Sequence, residues 1–372
     1  MKHFTHQLLR LKIQEKGYEN ILFSPVSIEV LFNLILAGSQ GKTRKTLLSL
    51  LERSEDNLDN YLKPYELYHS MWDETGMITK CSLAKSLWYT PQETIHSRFK
   101  QHFLQPFTQI FPFHENPQTT QQQIDQWVST YTEQMIPELP LQIDANTVMI
   151  LLSALYLKAT WSRTFDDAHP GDFHILEGGT VPTHYMTINQ SSGDTGKAYY
   201  MKQENFAAFA YLSKCERIAF VMYLPHEKDG LPEFLNQVIP ESFEEWKGLF
   251  QPVEHFFLKI PKFEIEDEFK LSSFAKQLDL LDLFTASSDL NPMFAHPTSP
   301  LFFSEIGQPC KLKIHEKGLE ASAVSYAVMS RGASGQGEKV IFEATHPFYF
   351  QIQDLTLRKN LFEGIFTTPT DI

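Results

Sequence analysis

The residues from His315 to Met329 alternate in a way that suits a β-strand buried on one face. In an extended chain, every second side chain points to the same side. One set is uncharged and, after its first member, uniformly small: Leu319, Ala321, Ala323, Ser325 and Ala327. The other set begins with Glu320, whose charge must face water, and this fixes the phase. The pattern therefore predicts a segment that can enter a sheet between two existing strands.

Gly318 precedes this segment and can act as a pivot, because glycine tolerates large changes in φ and ψ. The whole stretch 316–339 is rich in glycine and serine and lies between two strand-like runs. A stretch of that length inside a compact domain is functional or disordered. An ordinary exposed loop with small side chains is the alternative interpretation of the same residues.

Other motifs that could carry chemistry are incomplete. Residues 38–43 resemble the end of a phosphate-binding loop, but Leu36 stands where its first glycine is required. Residues 332–335 resemble a nucleophile elbow, yet Gln336 occupies the place of its last glycine. The 14 histidines are dispersed, and no nucleophile, base and orienting acid assemble in the sequence. We therefore expect no enzyme activity, no metal site and no cofactor.

Composition narrows the class of protein further. With 42% hydrophobic residues in 372, the chain can bury a large core. A formal net charge of −13 repels phosphate backbones, so we expect no nucleic-acid partner. No apolar run reaches the roughly 18 residues that cross a bilayer, so we expect no membrane partner. Three cysteines are too few for a disulfide framework, and the first residues contain no apolar signal run. We expect a cytoplasmic protein, or a secreted one whose signal peptide was removed before residue 1.

Local patterns predict helices first and strands later. Apolar spacing indicates a helix up to Lys16, and a short apolar run at 21–23 follows. Ser24 or Ser27 is a candidate cap for a helix over 28–37, and Thr43 for a helix that reaches Leu51. Predicted strands are 148–157, 217–224, 256–265 with an interruption at Pro261, and 348–353, while 124–135 and 271–284 are predicted helices. The order indicates an α+β fold.

The segment Glu316–Ala323 resembles the hinge of inhibitory serpins, which is normally Glu-Glu-Gly-Thr-Glu followed by alanines. Residues 20–28 and 37–43 resemble the family's early strand-to-helix signature and the end of the helix after it. Residues 152–161 are similar to the strand that ends in Lys-Gly-Thr-Trp. Further matches are Phe165, Phe173, residues 258–263 and 346–350, Gly364 and Pro369. The resemblance runs in order through essentially the whole chain.

This resemblance implies a single domain over 1–372, with about nine helices, three β-sheets and an exposed reactive-centre loop at about 316–339. It implies a clade-B-like intracellular, microbial or viral member of the family, acting as a monomer. The implied partner is a serine protease that cleaves the loop and stays attached as an acyl-enzyme. Insertion of the loop into the central sheet then distorts the protease before it can deacylate.

The resemblance also assigns roles to residues. The hinge and inserted residues are Glu316, Gly318, Leu319, Glu320, Ala321, Ala323, Ser325 and Ala327, and those where the sheet opens are Ser24, Ser153, Trp161 and Gln308. Leu319 replaces the usual Thr or Ser, Ser153 the usual Asn, and Gln308 a common His. Since Ser and Gln each have a donor and an acceptor, we expect the last two to form a substitute hydrogen bond.

The scissile bond depends on the length of the loop. Counting from Gly318 by the commonest serpin loop length places it at Gly332–Ala333, and a loop one residue shorter places it at Arg331–Gly332. Met329–Ser330 is a third possibility that leaves a short inserted segment. Arg331 is the only basic residue between Lys317 and Lys339, and a protease pocket with a buried carboxylate selects arginine. We therefore predict cleavage at Arg331–Gly332 by a trypsin-like protease.

Two other functions stay open at this point. A non-inhibitory serpin, such as a carrier, chaperone or storage protein, shares the fold and differs in the hinge, where bulky or charged inward residues would favour it. Inhibition of a papain-like cysteine protease is the other. A caspase is not expected, since the loop from Gly318 to Gly337 contains no Asp.

Overall fold

The structure is a computed structural model that describes residues 2–55, 79–101, 108–139, 141, 143–144, 147–191, 197–237, 248–286, 289–297, 301–319 and 338–370. These residues form an α+β fold with three β-sheets. The α-helices among them are α1 (Lys2–Lys16), α2 (Pro25–Ala37), α3 (Gly41–Leu50), α4 (Ser97–Lys100), α5 (Pro117–Tyr131), α6 (Leu231–Gln237) and α7 (Leu271–Phe274). Two short 3₁₀ helices cover Leu281–Phe284 and Asn291–Met293.

The central sheet has six strands in the order β12-β13-β14-β4-β2-β3. Their bounds are β2 (Thr79–Tyr89), β3 (Thr108–Pro112), β4 (Met149–Thr160), β12 (Phe263–Lys270), β13 (Glu305–His315) and β14 (Gly318–Leu319). β4 runs antiparallel to β2, and β13 runs antiparallel to β12. The short β14 lies between β4 and β13 and is antiparallel to both.

Two further sheets pack around this one. The seven-stranded sheet has the order β1-β17-β16-β9-β8-β7-β10 and the four-stranded sheet the order β15-β11-β6-β5. The strands are β1 (Ile21–Phe23), β5 (His169–His174), β6 (Thr180–Gln190), β7 (Ala198–Lys202), β8 (Phe206–Leu212), β9 (Ile218–Pro225), β10 (Gln251–Pro252), β11 (Phe256–Pro261), β15 (Val340–Glu343), β16 (Phe348–Asp354) and β17 (Lys359–Phe366).

The caps of α2 and α3 have different origins. Ser24 caps α2, since its hydroxyl accepts a hydrogen bond from the backbone N–H of Ser27 at 3.2 Å. The helix begins at Pro25, earlier than the apolar spacing predicts. The prediction that Thr43 caps α3 is wrong, because this helix begins at Gly41. The carboxylate of Asp289 instead accepts from the backbone N–H of Lys42 at 2.8 Å, and its negative charge is favourable at the N-terminal end of the helix.

Two predicted segments are divided in the structure. The strand run 256–265 becomes β11, which ends at Pro261, and β12, which begins at Phe263. The run 271–284, predicted as one helix, contains only α7 and the first 3₁₀ helix. Asp279, between them, has a positive φ of 56°, a backbone conformation that cannot continue a right-handed helix.

The core has two parts, one on each side of the central sheet. Odd-numbered residues of β4, such as Leu155 and Leu157, face the main core between the sheets. Even-numbered residues near its start, such as Ile150 and Leu152, pack beneath α5 together with Trp127. The two faces of β4 are therefore buried against different parts of the core. Near its end, beyond α5, the strand carries Lys158. Within the described ranges, no helix is long and apolar enough to span a membrane.

All three cysteines are free thiols. Cys81 and Cys310 are buried, and Cys215 is half-buried. Burial raises the pKa of the Cys81 and Cys310 thiols far above the ordinary value, so both stay protonated.

Candidate functional site

The predicted hinge is a strand in the structure. Gly318 pairs with Thr160 of β4 and with His315 of β13, and Leu319 pairs with Ala159 and Ile314. Leu319, which the sequence pattern assigns to the inward set, has no exposed surface. The first pair of positions of a strand between β4 and β13 is therefore already filled.

Gly318 is required here for space rather than for an unusual backbone angle. A Cβ on this residue would lie 2.2 Å from the carbonyl oxygen of Ala159, which is far inside van der Waals contact. Its φ is outside the left-handed region that favours glycine. The glycine allows two backbones to approach closely at the point where β14 enters the sheet.

Trp161 holds the turn that leads into β14. Its backbone N–H donates to the carbonyl of Lys317 at 3.1 Å, and its indole Nε1 donates to the carbonyl of His315 at 2.8 Å. The ring is buried and lies 5.8 Å from Phe165 and 5.7 Å from Tyr211, centroid to centroid. One rigid aromatic residue thus holds two backbone carbonyls of the turn, those of His315 and Lys317.

Glu316 is tied to two neighbouring elements. Its carbonyl accepts from the backbone N–H of Phe165 at 2.8 Å, and its Oε1 lies 3.3 Å from Nζ of Lys262. Partial burial acts to raise the pKa of Glu316, but its own backbone N–H and the Lys262 charge outweigh it and hold the pKa below the ordinary value. Lys262 lies in the matched run 258–263, but no role was predicted for it from the sequence. The sequence did contain an indication of a specific contact, since Lys262 is a charged residue between two buried strand runs.

Beyond Leu319, the facing edges of β4 and β13 are not joined. The two strands pair directly, and in parallel, only at Ile150–Glu305, Leu151–Ile306 and Leu152–Gly307. Within the described chain, no residue pairing joins 153–158 of β4 to 308–313 of β13. We call these two edges the unpaired stretch. The outer edges of both segments are fully paired, with β2 and with β12.

At the lower end of the unpaired stretch, the expected hydrogen bond between Ser153 and Gln308 is not formed. Oε1 of Gln308 accepts from the backbone N–H of Ser24 at 3.1 Å, and its Nε2 donates to Sγ of Cys310 at 3.0 Å. Both ends of the amide are therefore already engaged. The hydroxyl of Ser153 is buried and has no hydrogen-bond partner among the described residues.

The family model for serpins (serine protease inhibitors) matches residues 1–369. The chain belongs to the serpin family. Serpin-Z3 of Arabidopsis thaliana is 28% identical over 372 residues, with 94% of this chain and 92% of that protein covered. Serine protease inhibitor 42Dd of Drosophila melanogaster is 26% identical, with 94% and 92% covered.

Solved serpin structures superpose along the full chain. AtSerpin1 of Arabidopsis in its native stressed conformation gives a TM-score of 0.81 at 25% identity and covers 98% of this chain and 96% of its own. Human thyroxine-binding globulin gives 0.84 at 20% identity, with 100% and 97% covered. The serpin fold with three sheets, expected from the sequence, is confirmed, and the described residues contain seven of its α-helices.

Part of the predicted site lies outside the described residues. These positions are Glu320, Ala321, Ala323, Ser325 and Ala327 of the inserted set, and Arg331, Gly332 and Ala333 around the scissile bond. The structure brings together Gly318, Leu319 and Trp161 at one end of the unpaired stretch, and Ser24, Ser153 and Gln308 at the other.

Proposed function

We propose that this serpin inhibits a serine endopeptidase of trypsin-like specificity by offering its reactive-centre loop as a substrate. The protease cleaves after Arg331 and is held as an ester of its serine with the new carboxyl end of residue 331. The loop then enters the central sheet and carries the protease with it. Insertion must outrun hydrolysis of the ester, so the rate at which the sheet accepts the strand decides the outcome.

The observation that carries this proposal is the buried Leu319 at the head of the unpaired stretch. Continued at the same register, residues 320–325 would lie opposite 158–153 of β4 and 313–308 of β13. The new strand would be antiparallel to both neighbours, as β14 is. Each backbone hydrogen bond formed would contribute about 1 kcal/mol net. The uncleaved protein therefore holds a strand position whose bonds form only after cleavage.

The same register explains why the inward residues are small. Ala321 would meet Leu157 and Leu312, and Ala323 would meet Leu155, all of which are buried in the main core. Residues directly opposite each other in a sheet share a face, so a larger side chain would compete with these leucines for space. Alanine fills such a position without displacing its neighbours.

Insertion past Ser325 needs more than the filling of the unpaired stretch. At this register, positions 326–328 coincide with the three direct pairs between β4 and β13. Those pairs must separate, and a parallel ladder is exchanged for two antiparallel ones, which are slightly more stable per residue. Ser325 thus marks the last position that can be filled before the two strands have to part.

The proposal is tested by mixing the purified protein with trypsin and separating the mixture on a denaturing gel. We expect a stable band at the sum of the two masses, and mass spectrometry should place the ester on Arg331. Arg331→Ala should abolish the band with trypsin. Arg98→Ala, which removes an exposed arginine from α4, is the matched control and should leave the band unchanged.

An ester on Gly332 would move the scissile bond by one residue and leave the mechanism intact. Cleavage without a complex, together with no rise in the thermal midpoint after cleavage, would overturn the proposal and favour a non-inhibitory serpin. A complex with papain and none with trypsin would replace the serine protease by a cysteine protease as the target.

A further inference from the structure

A groove lies between β3 and α5, on the side of the central sheet that α5 covers. Its volume is about 570 Å³, and small-molecule sites in proteins span about 300–1,000 Å³. Trp88 and Trp127 are almost completely buried and form its floor. Phe111 stacks on Trp88 with ring centroids 4.3 Å apart. Together with Phe113 and Tyr131 it is only half-buried, so aromatic surface stays accessible in the groove.

The walls of the groove are held by hydrogen bonds within the protein. Nε1 of Trp127 donates to Oε1 of Gln109 at 2.8 Å and so joins α5 to β3. The segment that connects these two elements is anchored as well, because the backbone N–H of Phe113 donates to the carbonyl of Tyr89 at 2.7 Å. The groove is therefore preformed, and a ligand that enters it does not have to order its walls.

The lining of the groove is aromatic and carries no formal charge. Of the whole chain, 21% is charged and 13% is aromatic. Among the described residues, by contrast, no Asp, Glu, Lys or Arg lines the groove, and five of its eleven lining residues are Phe, Trp or Tyr. An ionic ligand would lose hydration here without gaining a group of opposite charge. The groove therefore favours a neutral ligand.

Polar groups with unused hydrogen-bonding capacity surround the aromatic surface. Gln123 and Gln126 of α5 are exposed at the rim, and their amides form no hydrogen bond with the described residues. Gln109 uses its oxygen for Trp127 and keeps two donors on Nε2. Nδ1 of His114 accepts from a backbone N–H at 3.0 Å, so the neutral ring carries its proton on Nε2 and keeps one donor. The rim can thus both donate to and accept from hydroxyl groups.

We infer that this groove binds a neutral saccharide whose hydroxyl groups are equatorial, such as a short oligosaccharide of glucose or N-acetylglucosamine. The C–H faces of such sugar rings are weakly positive and pack against the negative faces of aromatic rings. Their hydroxyls lie around the edge, where the glutamine amides both donate and accept. A flat aromatic molecule would use the rings of the groove but leave its polar rim without a partner. The described residues of the hinge lie elsewhere, so saccharide binding and protease inhibition are independent properties.

The experiment titrates the full chain with cellotriose and with triacetylchitotriose, by calorimetry and by tryptophan fluorescence. We expect at least one of the two to bind and to change the emission, because Trp88 and Trp127 are two of the five tryptophans. Phe113→Leu keeps an apolar side chain and removes the ring, while Gln123→Ala and Gln126→Ala each remove one amide. Each variant should weaken binding about 2- to 10-fold.

Gln122→Ala is the matched control, since Gln122 is an exposed glutamine of the same helix that does not line the groove. It should bind like the wild type, and the thermal midpoints of the three glutamine variants should agree. The glutamine variants keep the test valid if Phe113→Leu does not fold. Failure of both oligosaccharides to bind, or binding that the Gln123 and Gln126 variants leave unchanged, would overturn the inference. Tighter binding of naphthol than of either oligosaccharide would also overturn it, in favour of a flat aromatic ligand.

Discussion

Oε1 of Glu316 lies 3.3 Å from Nζ of Lys262, and this ion pair joins the first residue of the hinge to the residue that connects β11 and β12. Both side chains are partly exposed, at 22% and 30%. Their attraction is therefore screened by water and contributes little to global stability. The ion pair is also placed to hold the hinge, because Glu316 lies two residues before Gly318, where β14 enters the sheet.

A double-mutant cycle should measure this coupling. We expect Glu316→Gln and Lys262→Gln to lower the free energy of unfolding by less than about 1 kcal/mol each, with a coupling of about 0.2–1 kcal/mol. Chemical unfolding of the four proteins in low and in high salt gives both values. A coupling that stays the same in 1 M salt would show that the pair does not act through its charges.

The glycine that enters the sheet should not tolerate a side chain. In Gly318→Ala, the added Cβ would lie 2.2 Å from the carbonyl oxygen of Ala159, so the backbone of β14 or β4 must move. We expect a loss of about 1–3 kcal/mol in the free energy of unfolding, by analogy with overpacked cores. Amide hydrogen exchange near Trp161 should become faster, because its contacts with the turn are disturbed.

Gly248→Ala is the matched control for this change. No atom lies within 4 Å of a Cβ at this position, and its φ is outside the left-handed region. It should be neutral or slightly stabilising, since alanine restricts the unfolded chain. Equal effects of the two substitutions would contradict the steric role of Gly318.

The buried hydroxyl of Ser153 should stabilise the cleaved protein more than the uncleaved one. At the register of β14, Ser325 arrives opposite Ser153 and can supply the hydrogen bond that the hydroxyl lacks among the described residues. We expect Ser153→Ala to be neutral or stabilising before cleavage, because it removes an unsatisfied polar group. After cleavage, the gain in stability should be about 1 kcal/mol smaller than in the wild type.

Ser86→Ala is the matched control, because it removes a buried serine hydroxyl that already has a hydrogen bond in the uncleaved protein. Its buried hydroxyl accepts from Nε1 of Trp88 at 2.9 Å. This variant should lose about 1 kcal/mol before cleavage and show the normal gain after it. An unchanged gain on cleavage in Ser153→Ala would rule out a bond between Ser153 and the inserted strand.

Sequence reasoning located the elements whose burial follows a simple period. The apolar run 148–157 predicted β4, which the structure places at Met149–Thr160. The alternation after Gly318 assigned Leu319 to the inward set, and Leu319 is buried. Both positions are predictable because one local pattern determines which face of a strand meets the core.

Contacts between residues that are distant in the sequence could not be predicted from local patterns. The cap of α3 comes from Asp289, 247 residues away, so no local signal could replace the wrong choice of Thr43. The hydrogen bond expected between Ser153 and Gln308 is absent because Ser24 and Cys310 already engage the Gln308 amide. Hydrogen-bonding capacity can be read from residue types, but the competition for it depends on the tertiary packing.

A buried glutamate should make stability depend on pH. Glu363 of β17 has no exposed surface, and burial raises its pKa from 4.5 to about 7 against the hydrogen bonds of Tyr349 and Asn360. The folded protein therefore holds a proton that the unfolded chain releases between these two pH values. The free energy of unfolding should fall as pH rises through this window, by about 3 kcal/mol at a cost of about 1.4 kcal/mol for each pKa unit.

Glu363→Gln removes this titration while keeping the size of the side chain. Below pH 4.5 the variant should match the wild type, and above pH 7 it should be more stable by up to about 3 kcal/mol. Chemical unfolding of both proteins between pH 4 and about 8.5 measures the difference, in which contributions from other groups such as His346 cancel. Glu204→Gln, at an exposed glutamate, is the control and should leave the pH profile unchanged. Parallel profiles for Glu363→Gln and the wild type would mean that Glu363 ionises in the folded protein at its ordinary pKa.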